Sequence, residues 1–291
     1  MLIPSLLLMI AACPLQDAAA PAAQGAAPAE AVPSETPENV RTYLEEAQGL
    51  LYDPQSAGLT SLAFDVAVDL PQLGRLGTVH VTWAAGETAK TTFTAEENPA
   101  LPQGMPAGML EAQANATAQQ LLNGMLNRTI GTLLDEGVAT MAGVQDNLVA
   151  VSHHHPAMAA QGVTSQLYLF DDEGLLKKSK TAMEQPGMTM SIVQTYSWKP
   201  AAEGIELLVA DSQSVEAKVG PMTQSSQASF AYTRVGPIVL PIRIATSSKG
   251  PMSGEQVIAA SNLVVNGTAA PIEPAPAAAD PAASAPRPAG G

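Results

Sequence analysis

Apolar and polar side chains alternate at a period of two through the middle of this chain, and no other feature limits its fold so strongly. Leu62, Phe64, Val66, Val68 and Leu70 alternate with Ala63, Asp65, Ala67 and Asp69, and Val79, Val81 and Trp83 alternate with Thr78, His80 and Thr82. Successive side chains of a strand point to opposite faces, so such stretches predict strands with one covered face and one wet face. Residues 84–87 predict a hairpin turn, with Thr91–Thr94 as the return. Further strands are expected at Leu148–Ser152, Leu167–Phe170, Leu175–Thr181, Met188–Trp198, Ile205–Ala210, Ser229–Arg234, Val239–Thr246 and Gln256–Val265. Short turns between successive strands make an antiparallel meander.

Two segments carry the helical period instead. Val40, Tyr43, Leu44, Ala47, Leu50 and Leu51 predict a helix opened by Thr36 as cap, Pro37 in the first turn and Glu38 at the positive end of the dipole. Over residues 107–136 a broad apolar stripe runs from Leu110 through Ala114, Leu121, Leu122, Met125, Leu126, Ile130, Leu133 and Leu134, ended by Gly137. Gly124 and Gly131 weaken this second helix, so packing must hold it. The fold expected is α+β and mainly antiparallel β: a curved, incomplete β-barrel of about nine or ten strands packed on two helices.

The ends read differently. Residues 13–35 and 269–291 are rich in Ala and Pro, cannot bury enough apolar surface to offset chain entropy, and predict a linker and a tail around a folded domain at 36–268. The apolar run at 2–12 is too short to span a bilayer and suits the core of a secretory signal. Ile10-Ala11-Ala12-Cys13 resembles the lipobox of bacterial lipoproteins, which makes Cys13 the expected lipidation site and a lipid chain the expected membrane anchor. No Lys or Arg precedes Arg41, which leaves an ordinary signal peptide, cleaved after Ala18–Ala20, as the alternative. Either way the expected location is the periplasm or cell envelope.

A formal charge of -14 excludes an electrostatic nucleic-acid binder and disfavours docking on anionic lipid through a basic patch. A single Cys allows no intramolecular disulfide and no four-Cys zinc site. His153-His154-His155 is expected in a solvent-facing loop, because adjacent strand side chains point apart and Pro156 follows. Asp171-Asp172-Glu173-Gly174 lacks the ligand spacing of a calcium loop and reads as a turn tip. The sequence holds no Gly-x-Ser-x-Gly elbow, no His-Glu-x-x-His and no phosphate-cradling Gly-rich loop. No catalytic residue, metal or cofactor is therefore expected, and the protein is not expected to be an enzyme.

Two stretches carry a resemblance. Leu167-Tyr-Leu-Phe-Asp-Asp-Glu-Gly-Leu-Leu-Lys-Lys178 and Val235-Gly-Pro-Ile-Val-Leu-Pro-Ile-Arg-Ile244 resemble the acidic-Gly turn and the late Leu-Pro strand of the periplasmic lipoprotein-carrier and lipoprotein-sorting superfamily (LolA/LolB-like). The resemblance implies a half-barrel with an apolar cavity for an acyl chain or the lipid of a lipoprotein. That family's carriers use a basic residue on an early strand to control the lid; Thr78–Trp83 holds none, Arg75 lies before it, and no family residue is carried over. Twelve Met and few aromatics suit an adaptable lining. The expected cavity residues are Phe64, Val66, Val79, Val81, Trp83, Leu122, Met125, Leu126, Met190 and Ile192. The expectation is thus an exported, lipid-anchored monomer that takes an acyl chain or lipid-like ligand, with no nucleic-acid partner. The competing expectation is an envelope scaffold whose core is packed shut.

Overall fold

The computed structural model describes residues 35–70, 74–97, 107–126, 130–135, 137–251 and 253–270. The expected signal segment, Cys13 and nearly all of the linker and tail lie outside the described residues. The chain begins with α1 (Glu38–Gly49), then β1 (Ser61–Leu70), β2 (Gly74–Ala84) and β3 (Lys90–Ala95). Helices α2 (Ala107–Leu126) and α3 (Gly131–Asp135) follow, then β4 (Val138–Gln145), β5 (Leu148–His154) and a single turn of helix, α4 (Pro156–Ala159). The rest is meander: β6 (Val163–Phe170), β7 (Leu176–Gln185), β8 (Met188–Ala202), β9 (Ile205–Val219), β10 (Met222–Val235), β11 (Ile238–Lys249), β12 (Gly254–Val265) and the short β13 (Thr268–Ala269).

The thirteen strands among the described residues form one antiparallel sheet in the order β3-β2-β1-β12-β11-β10-β9-β8-β7-β6-β5-β4, with β13 beside β12. The sheet curves into an incomplete β-barrel and stays open, as the alternation predicts. Its two edge strands, β3 and β4, are neighbours in sequence, so the chain between them must cross the whole sheet, and α2 lies in that crossing. Closure begins where the first strand meets the last long one: Leu62 pairs with Val265 and Val66 with Ala260. Gly77 sits at a φ of 152° where β3 presses on β2, and a side chain there would run into the Thr94 carbonyl. No helix among the described residues is long and apolar enough to cross a membrane.

The inner face carries two large apolar clusters. One joins β1, β2, β11 and β12 to α2, through Phe64, Val66, Val79, Val81, Leu121, Leu122, Met125, Leu240 and Ile244. The other seats α1 and α3 on β4–β7, through Val40, Leu44, Ile130, Leu133, Val151, Phe170 and Leu176. Just after α1 the chain joins the sheet, where the Tyr52 amide donates to the Leu208 carbonyl and the Leu208 amide to Leu50.

Several expectations need correction. The stripe over 107–136 is two helices, not one. Thr36 does not cap α1, whose N-cap is Pro37; the Thr36 hydroxyl instead accepts a hydrogen bond from the Ala139 amide, tying the entrance of α1 to β4. His153 and His154 end β5, and His153 is buried rather than solvent-facing. Strands β9 and β10 extend far beyond Ala210 and Ser229, and β4 was not anticipated.

Candidate functional site

The ten residues expected to line a cavity separate into two groups. Phe64, Val66, Val79, Val81, Leu122 and Met125 are buried in the first large cluster, with Trp83 and Leu126 packed against it. Phe64 is 0% exposed, as are Val66, Val79 and Val81, because α2 lies on them and leaves no free surface. Met190 and Ile192 belong instead to a small separate cluster with Met183 and Ala217. Only Met125 of the ten borders a cavity lined by residues of α2 and of strands β8–β11.

That cavity lies between the two large clusters, beneath the carboxyl half of α2. Its volume is about 100 Å³, below the roughly 300–1,000 Å³ of small-molecule pockets, and it is partly open. Gln120, Asn123, Gly124 and Met125 of α2 form one wall, and strands β8–β11 form the floor. Gly124 is what leaves the space: a methyl group at its Cα would make ordinary contact, at 3.8 Å, with Pro241.

Aromatic rings concentrate here. The chain has only 2 Trp, 5 Tyr and 4 Phe, yet Trp198, Phe230 and the tyrosines Tyr52, Tyr168, Tyr196 and Tyr232 all line this one cavity. Period-two geometry puts Tyr196 and Trp198 on the same face, and their rings stack at 6.0 Å and 16°. Backbone carbonyls hold several polar tips. The Tyr52 hydroxyl donates to Pro237 at 2.9 Å and accepts from the Val239 amide at 2.9 Å. The Tyr232 hydroxyl donates to Ala210 at 2.6 Å, and the Trp198 indole N–H donates to Leu176 at 2.7 Å. Burial raises the pKa of Tyr52, Tyr168, Tyr196 and Tyr232 above the ordinary phenol value, so all four stay neutral and act as hydrogen-bonding groups, not bases.

Amides complete the lining. Gln194 Oε1 accepts from the hydroxyls of Ser179 and Tyr196, each at 3.0 Å. Gln213, directly opposite Tyr196 across the β8–β9 ladder, is 5% exposed. Its amide makes no hydrogen bond to another described residue, and neither does the Tyr168 hydroxyl. Among the described residues, no side chain lining the cavity carries a charge. The arrangement can hold a neutral group with both apolar and hydrogen-bonding parts; it offers no nucleophile–base pair.

The other motifs are placed as follows. His153 and His155 share a face, with ring centres 6.3 Å apart, and His153 Nδ1 lies 3.3 Å from Gln166 Oε1. Among the described residues no group of three His, Cys, Asp or Glu side chains is arranged to hold a metal ion. Asp171 organises its turn, Oδ1 accepting from the Glu173 and Leu175 amides at 3.1 and 2.8 Å.

Sequence reasoning missed the cavity because its marker is sparse and long-range. The signal available was the scarcity of aromatic residues together with Tyr168, Tyr196, Trp198 and Tyr232 on every second predicted strand. Compared with known protein families and with curated proteins, the chain matches none.

Proposed function

We propose that this is an exported envelope protein, anchored by a lipid on Cys13, whose half-barrel binds an acyl chain or similar lipid beneath α2. The observation that carries the reading is the aromatic and amide cavity, which lies between the two large apolar clusters. Its 100 Å³ holds only part of such a ligand, so the rest of the chain must displace α2 from the first cluster.

The make-up of α2 supports that movement. Its buried contacts include the small side chains of Ala114 and Ala118, and Gly124 adds none. The Asn115 side-chain oxygen is buried without a hydrogen bond, a condition worth about 1–3 kcal/mol against the seated helix. The lipobox-like Cys13 and the Ala/Pro stretch after it support an anchored domain held off a membrane by a spacer.

Uptake of the neutral apolar dye N-phenyl-1-naphthylamine by the mature protein tests this. Saturable uptake, competed by a lipid, is expected. Absence of uptake overturns the reading and favours the packed scaffold, which the closed cluster around Phe64 would then explain. Mass spectrometry of the mature terminus tests the anchor, and an unmodified Cys13 overturns that part.

A further inference from the structure

We infer that the cavity selects a ligand whose head is uncharged and hydrogen-bonding, such as an acyl ester of glycerol, over a free fatty acid. The inference rests on the lipid-binding reading above and narrows its ligand class. A bare acyl chain asks nothing of polar groups, yet this cavity presents three that make no hydrogen bond to another described residue. The Gln213 amide and the Tyr168 hydroxyl make no hydrogen bond to another described residue. Both hydrogen bonds of Gln194 fall on its Oε1, which leaves Nε2 as a donor. Gln213 is 5% exposed and its amide faces the cavity, so a ligand that fills the cavity desolvates that amide and must pair with it, because an amide buried without a partner is costly.

The chemistry of that group follows from what surrounds it. Amide N–H groups donate to an ester carbonyl, while an amide oxygen and a phenol accept from a hydroxyl. A carboxylate finds neutral donors but no cation among the described residues of the lining, none of which is Lys, Arg or His. It would be desolvated without a counter-charge, inside a protein of net charge -14. The stacked Tyr196 and Trp198 rings give the apolar carbons next to such a head a flat wall.

Competition against bound N-phenyl-1-naphthylamine tests the inference, using monododecanoylglycerol and dodecanoate on the mature protein at pH 8, each below its micelle concentration. The glycerol ester is expected to compete at least tenfold more tightly. Gln213→Leu, which keeps the volume and removes the amide, is expected to shrink that ratio, and Tyr168→Phe to shrink it by removing one oxygen. Equal competition by the two lipids in the wild type overturns the head-group inference and leaves the lipid-binding reading standing. A ratio unchanged in both variants overturns the assignment of the head to these residues. A dye that never binds overturns the lipid-binding reading and this inference with it.

Discussion

Asn266 holds Thr60 by two hydrogen bonds: its Oδ1 accepts from the Thr60 amide at 2.8 Å and from the Thr60 hydroxyl at 3.0 Å. The same oxygen accepts from the Ser61 amide at 3.0 Å, and Asn266 Nδ2 donates to the Gly58 carbonyl at 2.7 Å. One side chain in the turn after β12 thus fixes the approach to β1, across 206 positions of sequence. Asn266 has a φ of 50°, a conformation that Asn adopts more readily than Ala. Asn266→Gly removes the hydrogen bonds and keeps the backbone comfortable, for a loss of about 1–2 kcal/mol. Asn266→Ala adds left-handed strain of roughly another 1 kcal/mol. Urea unfolding should therefore rank wild type above Gly and Gly above Ala; an Ala variant as stable as the Gly variant contradicts the strain argument.

A second tie between the first and last strands is sensitive to pH. Asp65 Oδ2 accepts from Asn262 Nδ2 at 2.7 Å, and Asp65 Oδ1 lies 2.7 Å from His80 Nδ1. Burial pushes the Asp65 carboxyl up, but the bonds from Asn262 and His80 and the His80 charge outweigh it, so the carboxyl titrates below its ordinary value. A lowered folded-state pKa contributes stability that is present above the unfolded value near 3.9 and is lost as pH falls through the folded one. Urea midpoints measured from pH 6 down to pH 3 should fall more steeply for the wild type than for Asp65→Asn. Parallel curves would show that this carboxylate does not couple to folding.

Gly124 allows cavity volume and helix stability to be separated. Its missing Cβ would meet Pro241 and Ile244 at 3.8 and 3.9 Å, so Gly124→Ala fits without displacement. Replacing Gly inside a helix adds about 0.5–1 kcal/mol. Thermal unfolding should rise for Ala, and dye uptake should persist. Gly124→Leu extends into the cavity and should abolish uptake while far-ultraviolet dichroism stays native. Undiminished uptake by the Leu variant places the dye somewhere else.

The strands that alternate cleanly were legible from sequence, since Phe64, Val66, Val79 and Val81 follow from period two alone. Long stretches of β9 and β10 were not, because polar residues occupy both faces there: Gln213 and Gln224 are buried, while Ser214 and Ser225 stand opposite Thr195 and Glu216 on the other face. A polar inner face removes the contrast on which alternation depends, and in β9 that same polarity builds the site. The break between α2 and α3 was illegible for another reason. Helical periodicity continues through Ile130 and Leu133, but these side chains pack with α1, and the Gly131 amide is capped from a distance by Gln48 Oε1 at 3.1 Å.

Phe64 discriminates between an open trough and a closed one. If α2 normally stood away from β1, truncating Phe64 would cost little stability and would weaken ligand uptake. In the structure Phe64 is fully enclosed by α2 and the neighbouring strands, so Phe64→Ala must leave a void the size of a phenyl ring. Such truncations cost about 3–5 kcal/mol. Ile192 sits in a cluster of four buried residues, where fewer neighbours are lost, and Ile192→Ala should fall near the lower end, about 2 kcal/mol. The predicted pattern in urea unfolding is a large loss for Phe64→Ala, a smaller one for Ile192→Ala, and dye affinity raised by Phe64→Ala in the fraction that stays folded, because the void lowers the cost of moving α2 off the first cluster. A small loss of stability at Phe64 joined to a loss of uptake would instead mean that the seated position of α2 is not its resting place, and that the first cluster rather than the aromatic cavity receives the ligand.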